Sequence, residues 1–469
     1  DAAFSGSSGE NLVLNGSGDG GAGALMGSNT GTFSGTVSLA SAASINVDNG
    51  AAGNIDFTLS GNISGAGGNT LTKLGPDTLV LSGTNSYAGD TQIDAGVLKL
   101  GAASGVASGS AVHIAPPMAI SNAYVAPFAA AVKAKVKAAV FVAGRINQPQ
   151  DGEKVIASGQ ADMVGMTRAM ICDPEMPGKA EAGKLEDIRA CIACNQACIG
   201  HFHMGYPISC IQHPETGREL KYGTLTKAAT RKKVMVVGGG PGGMKAAAIA
   251  AARGHEVTLY EAAERLGGQT ILAQALPGRA EFGGIVTNLS REMELAGARV
   301  VLRQKVTRAL VEAERPDAVI AATGATPRAA EIEGVETGHV VNAWQVIRNE
   351  VNVGPSVAIA DWRCDWIGMG VAEMLARQGC RVRLHDPYVK PDDQNVRDHW
   401  VGQLHKLGVE IVPYARIYGV DGSTVYFQHA TSGEPIIFEE IDTLVASLGH
   451  HRAAALEDEL AGWPGEVHL

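Results

Sequence analysis

Cys191-Ile-Ala-Cys194-Asn-Gln-Ala-Cys198 runs into an eleven-residue stretch that ends at Cys210. Four of the chain's seven cysteines fall in these twenty residues. Thiolates this close together are ligands for zinc or for an iron–sulfur cluster. A zinc ribbon more usually presents two C-x2-C pairs, whereas here C-x2-C-x3-C is followed by one distant cysteine. That asymmetry favours a [4Fe–4S] cluster over zinc or a disulfide pair. Gly200, Gly205 and Pro207 supply the turn that brings Cys210 back to the other three. His201, His203 and His213 read as surrounding or surface groups, because four thiolates complete a cluster without them. Cys172 reads as a packing residue, and Cys364 and Cys380 have no evident partner.

Downstream, Val234-Met-Val-Val237 reads as a buried strand, Gly238-Gly-Gly240-Pro-Gly-Gly243 as a tight turn, and Met244–Arg253 as an Ala-rich helix. Val257–Tyr260 is the next strand and ends at Glu261. Gly238, Gly240 and Gly243 thus stand between strand and helix, with an acidic residue eighteen positions after the third glycine. In that context glycines let a pyrophosphate approach the helix N-terminus, and Glu261 accepts a hydrogen bond from a ribose hydroxyl. A second unit begins at Ser356–Ala360, but Asp361-Trp-Arg-Cys-Asp365 stands where the early glycines would be. Asp361 and Asp365 would repel a pyrophosphate, so this unit argues against NAD(P)H. Short strands near Ile417–Val420, Thr424–Gln428 and Ile436–Glu440 read as an inserted meander.

Upstream, composition changes at Pro116-Pro117. Pro127–Lys137 has helical spacing, Ala138–Ala143 reads as a buried strand, and a helix near Asp151–Ser158 leads to a strand at Ala161–Gly165. Strand–helix–strand with Gly at each carboxyl end is the unit of a parallel sheet. Val142-Ala-Gly-Arg-Ile146, Ala161-Asp-Met-Val-Gly-Met-Thr-Arg168 and Asp173-Pro174 resemble strands seven and eight of the old yellow enzyme barrel. More narrowly they resemble its 2,4-dienoyl-CoA reductase and trimethylamine dehydrogenase group. By that resemblance Gly144, Arg145, Gly165 and Arg168 hold the phosphate of FMN. Cys191, Cys194, Cys198 and Cys210 match the group's [4Fe–4S] loop, and Arg265-Leu-Gly-Gly268-Gln269 with Ala322-Thr323-Gly324 match FAD-type signatures. In that group the second unit binds NADPH in the reductases and is divergent in the amine dehydrogenases, the branch Asp361 and Asp365 favour. A complete (β/α)8 barrel needs on the order of 250 residues, and this region supplies only its last two strands. The barrel's substrate residues therefore have no counterpart here, and the chain is expected to stop just before the group's final FAD segment.

Residues 1–115 are of another kind: rich in Gly, Ser, Thr, Asn and Ala, without Cys, Trp or Arg. Short alternating runs such as Thr36–Leu39, Asp56–Leu59 and Thr78–Ser82 recur between Gly and Asn turns, which suggests a β-solenoid. Residues 60–102 resemble the passenger-associated β-strand repeat of bacterial autotransporters. The alternative is a low-complexity linker. No catalytic constellation is visible in this stretch.

At 469 residues, 45% of them hydrophobic, the chain is long enough for several domains. Of its net charge of −10, residues 1–115 carry eight acidic and two basic side chains. Neither part has the basic face that nucleic acid requires, no apolar run is long enough for a membrane span, and no signal peptide is recognisable. Cysteine usage fits a reducing compartment. The expected order is a solenoid-like segment (1–115), a partial barrel end (116–188), a cluster loop (189–230), a Rossmann-like FAD or ADP domain (231–350), a second nucleotide-like domain (351–445) and a return to the first (446–469). The expected function is part of an FMN/[4Fe–4S]/FAD oxidoreductase acting on an N-methylated amine or an enoyl compound. Its electron partner would be an electron-transfer protein or NAD(P)H, and an oligomer is compatible with it. The enzyme part would be cytoplasmic. The alternatives are a surface-exposed passenger or adhesin with an incidental enzyme fragment, and a non-catalytic nucleotide-binding remnant.

Overall fold

The computed structural model describes residues 10–50, 55–66, 68–93, 95–100, 112–113, 118, 120–363, 365–386 and 394–469. The chain divides into two compact units, Asp1–Pro116 with Ile120–Met166, and Pro117–Ala119 with Thr167–Leu469. Among the described residues no helix is long and apolar enough to cross a membrane.

In the first unit two ladders of parallel strands share one core. Leu12–Gly16, Val37–Val47, Leu71–Leu74, Thr91–Ile93 and Val112–His113 stack in one ladder; Gly31–Phe33, Asp56–Leu59, Thr78–Leu81 and Val97–Leu100 stack in the other. Successive runs of chain cross from one ladder to the other, so parallel pairing arises here without helical crossovers. The inward alternation supplies the core: Val37, Leu39, Ile45, Phe57, Leu59, Leu71, Leu79 and Leu81 are all almost fully buried. Glycines allow the coils to stack. A Cβ on Gly35 would lie 1.6 Å from the Glu10 carbonyl oxygen, one on Gly61 1.9 Å from that of Gly35, and one on Gly83 2.2 Å from that of Gly61. Asparagines tie the same corners, with Asn62 Oδ1 accepting from the Thr84 N–H and Asn85 Oδ1 from the Ile63 N–H.

The remainder of this unit holds Phe141–Ala143 paired in parallel with Met163–Gly165 through the helix Pro149–Ala157. The strand is shorter and less buried than Ala138–Ala143 was expected to be. Val142 is buried, but Phe141 is 67% and Met163 56% exposed. A parallel sheet hides its strands by covering both faces, and two paired strands leave one face open. The helix expected over Pro127–Lys137 is Ala126–Lys133, with its proline in the first turn.

The second unit contains two parallel sheets. The first has the order Arg299–Val301, Glu256–Tyr260, Lys233–Val237, Ala318–Ala321, Glu466–His468. Its helix Pro241–Ala252 buries Met244, Ala247, Ala248 and Ala251, and its small alanines let it pack closely on Gly283–Ala296. The second sheet has the order Val340–Asn342, Thr443–Ser447, Ser356–Asp361, Arg381–Asp386, Glu410–Pro413. An antiparallel meander of Ala415–Asp421, Thr424–His429 and Pro435–Phe438 stands beside it, as its alternating residues indicated.

His385 lies at the junction of that sheet and the meander, fully buried and stacked on Phe427 at 3.8 Å between ring centroids. Among the described residues neither of its ring nitrogens has a hydrogen-bond partner. Burial, reinforced by the charge of Arg383, holds its pKa down at about 3. Between pH 3 and the ordinary 6.5 the unfolded chain therefore binds a proton that the folded chain refuses. Stability should fall as pH drops through that window, by up to about 1.4 kcal/mol per pH unit, and His385→Phe should flatten this limb in urea melts at pH 4 to 7. In the first unit, Gly61→Val should cost about 1–3 kcal/mol, detectable as faster proteolysis within residues 31–83. Gly16→Asn, at an open left-handed position, should leave proteolysis unchanged.

Candidate functional site

The four motif cysteines line one pocket. Cys191, Cys194, Cys198 and Cys210 share it with Arg168, Cys172, Asn195 and Gln212. The backbone between them is tightly coiled: Ala193 and Asn195 take left-handed φ values of 50° and 58°, and a single π-type turn spans Gln196–Gly200. Such turns and left-handed non-glycine residues are held only where the surroundings demand them. Here they aim N–H groups at sulfur. The Ala193 N–H donates to Cys191 Sγ at 3.4 Å, the Gln196 N–H to Cys194, the Ile199 N–H to Cys198, and the Gln212 and His213 N–H groups to Cys210. Hydrogen bonds of this kind tune iron–sulfur clusters. Among the described residues no group of three or more His, Cys, Asp or Glu is closed around a single metal-ion position; the thiols line the pocket and do not meet at one point.

Burial pushes the Cys194 thiol up to about 12 and the Cys198 thiol up to about 11. A bound cation is what would favour their thiolate forms. Cys210 behaves oppositely. A hydrogen bond from Cys172, helped by the Gln212 and His213 N–H groups, brings it down to about 6, while the same bond and burial push Cys172 far up. Cys172 was expected to be a packing residue. It is instead a fifth thiol at the site, 1% exposed, whose sulfur also accepts from Gln212 Nε2 at 3.4 Å. Nothing in its spacing from Cys210 signals this contact, because a helix end and a loop far apart in sequence make it. His213 bonds Thr216 and Ile171, and His201 bonds the Pro207 carbonyl. Cys364 lies outside the described residues, and Cys380 is half-buried.

Of the residues expected at an FMN phosphate, Gly144, Arg145 and Gly165 end the two paired strands of the first unit. Gly144 has φ +150°, and Arg145 is 4% exposed. Arg168 belongs to the second unit, where Nη1 donates to Asn195 Oδ1 at 2.6 Å on the rim of the thiol pocket.

The dinucleotide residues gather at the carboxyl edge of the first parallel sheet. Gly238 has φ +109°, and a Cβ there would meet the Ala322 carbonyl oxygen at 2.2 Å; one on Gly243 would meet the Gly238 carbonyl at 2.0 Å. Gly240 caps the helix Pro241–Ala252 and faces open space. Glu261 accepts from the Gly239 N–H at 2.6 Å and the Ala263 N–H at 2.7 Å. It therefore braces the glycine turn, and a carboxylate keeps lone pairs for a further donor. A Cβ on Gly268 would lie 3.1 Å from the Gly240 Cα and one on Gly324 3.7 Å from Gln269 Nε2, and Arg265 is exposed. Thr323 Oγ1 donates to the Ala453 carbonyl at 2.6 Å. Thr323 and Gly324 line a second pocket with Arg452, Ala453, Glu457 and Leu469; these four come from the returning chain and have no motif to mark them.

In the second sheet, aspartate side chains occupy the turn that leads into the helix Trp366–Arg377. Asp365 Oδ1 accepts the Ile367 N–H at 2.9 Å and so caps the helix Trp366–Arg377, while Oδ2 pairs with Arg363 at 2.8 Å. Asp361 is buried against Gly368, where a Cβ would lie 2.2 Å from its Oδ2.

Residues 232–462 match the model of the pyridine nucleotide-disulphide oxidoreductase family, and residues 90–187 that of the NADH:flavin oxidoreductase / NADH oxidase family. Residues 71–100 match the passenger-associated-transport-repeat. The chain is 38% identical over 274 residues to N,N-dimethylglycine/sarcosine dehydrogenase of Chromohalobacter salexigens, covering 56% of this chain and 39% of that protein. It is 32% identical over 341 residues to cinnamate reductase of Clostridium sporogenes, covering 71% and 50%. The solved structure of 2-naphthoyl-CoA reductase aligns with a TM-score of 0.70 at 27% identity, over 81% of this chain and 56% of that one. The chain thus spans about half or less of the length of these relatives. Together the matches over residues 90–187 and 232–462 support the 2,4-dienoyl-CoA reductase and trimethylamine dehydrogenase group of the old yellow enzyme family.

Proposed function

We propose that residues 116–469 are the electron-relay part of a flavin- and iron–sulfur-dependent oxidoreductase. The observation that carries this reading is a single pocket that gathers the four motif thiols, each sulfur accepting a backbone N–H, directly ahead of a glycine turn suited to a dinucleotide. Cys191, Cys194, Cys198 and Cys210 would hold a [4Fe–4S] cluster, and the N–H groups would offset negative charge on the sulfurs. Gly238, Gly240 and Gly243 leave room for the pyrophosphate of FAD or ADP at the Pro241–Ala252 helix, and Glu261 remains able to accept from a ribose hydroxyl. When bound, a flavin accepts or gives electrons in pairs and a cluster passes them singly. For FMN the fit is incomplete: the described residues hold Gly144, Arg145 and Gly165 at the ends of only two paired strands.

The relatives' names point to two substrate classes, methylated amines and unsaturated acyl compounds. Asp365 on the helix N-terminus and Asp361 beside Gly368 disfavour a nicotinamide dinucleotide at the second sheet. That favours an N-methylated amine as donor and an electron-transfer protein as acceptor. The enzyme part is then cytoplasmic. A second reading concerns residues 10–100, whose stacked parallel ladders and repeat match favour a β-solenoid of the autotransporter passenger kind, at the cell surface.

Full-length chain reconstituted anaerobically with ferrous iron and sulfide should bind about four irons and show broad absorbance that Cys194→Ser strongly diminishes. One zinc and no iron would sink the cluster reading.

A further inference from the structure

We infer that Arg279 sets the reduction potential of the cluster, acting as a buried counter-charge on the Cys194 side of the thiol pocket. The inference rests on the four-thiol reading above. Arg168 lines the pocket, while Arg189 and Arg279 lie within electrostatic reach of its thiols. Arg168 donates to Asn195. Arg189 is paired with Glu292 at 2.6 Å and also donates to the Cys172 carbonyl at 2.9 Å. Arg279 is boxed by aromatic rings: its guanidinium carbon lies 4.2 Å from the centroid of Trp366, 4.7 Å from Trp400 and 4.8 Å from Phe282.

Arg279 is 6% exposed, and among the described residues its Nε has no hydrogen-bond partner. Ring faces replace part of the hydration it has lost. Its position is fixed by the backbone, with its N–H on the Leu276 carbonyl and its own carbonyl accepting from Phe282. Phe282 and Trp366 stack at 5.8 Å and belong to the same apolar cluster as Ile192 and Cys194. Besides burial, the groups whose charge acts on Arg279 are Cys194, once ionised, and Asp365. Burial brings its guanidinium down to about 10, which still leaves it charged at neutral pH.

A cluster held by four thiolates is anionic and gains a further negative charge on reduction. A fixed cation in a dry, weakly screening setting stabilises the reduced form and raises the potential. A boxed guanidinium is also shielded from salt, unlike a surface arginine. Its role is to position charge; it touches no substrate.

The test is a redox titration of the full-length reconstituted chain, followed by absorbance and paramagnetic resonance, for wild type, Arg279→Gln, Arg279→Lys and Asp365→Asn. Arg279→Gln should disfavour reduction roughly tenfold, a drop of about 59 mV for one electron, and the drop should persist at high salt. Arg279→Lys should stay near wild type. Asp365→Asn keeps the helix cap, removes the opposing charge, and should move the potential upward even if Arg279→Gln fails to assemble. Iron-replete variants with unchanged potentials, or a lysine variant shifted as far as glutamine, would overturn the inference and leave the cluster reading standing. A wild-type chain that binds no iron would remove both.

Discussion

The thiol loop holds its shape because it is clamped to the dinucleotide domain by one carboxylate. Glu292, on the helix Gly283–Ala296, takes Arg189 on one oxygen at 2.6 Å and Lys245 on the other at 2.8 Å. Arg189 stands two residues before Cys191, and Lys245 lies on the helix that follows the glycine turn. One side chain therefore ties together the cysteine loop, the packing helix and the nucleotide helix. All three partners are largely buried, so removing one would strand charge that the fold has already desolvated. Asn288, one turn earlier on the same helix, donates to Gln212, which reaches both the Ala190 carbonyl and Cys172. Arg291 adds a bridge to Asp187 at 2.8 Å. The helix is thus apolar toward the sheet and polar toward the cysteine loop.

This clamp explains what the sequence made legible. The cysteine spacing and the glycine turn are local patterns, each imposed by a constraint that acts within a few residues. Gly243 must lack a side chain because the Gly238 carbonyl approaches it, and that requirement is visible in the string itself. The meander was legible for the same reason, since alternation and turn residues lie side by side. Cys172, Arg279 and the Arg452–Ala453–Glu457 group were not legible. Each reaches its position through contacts between distant segments, and residue type alone does not mark them. Arg168, which the resemblance assigns to a phosphate, also donates to Asn195 at the rim of the thiol pocket, a contact its motif does not announce.

The first unit obeys a different economy. Its strands need no helices to pair in parallel, because each coil rests on the one before, and glycine carbonyl contacts at Gly35, Gly61 and Gly83 set the spacing. Its core is built from one inward row per ladder. By contrast, Phe141 and Met163 lie exposed on a two-stranded sheet, where neither coils nor further strands cover them. The same chain therefore shows two solutions to burying parallel strands, repetition and helical cover, and one place where neither is complete.

Charge placement joins the cysteine loop to the second nucleotide-like sheet. Asp365 caps its own helix terminus, and its charge acts on Arg279. A dinucleotide at that terminus would have to displace Asp365 from the backbone N–H and from Arg363, leaving Arg279 with the added charge. Asp365 thus serves both as the cap of its own helix and as one of the charges that act on Arg279.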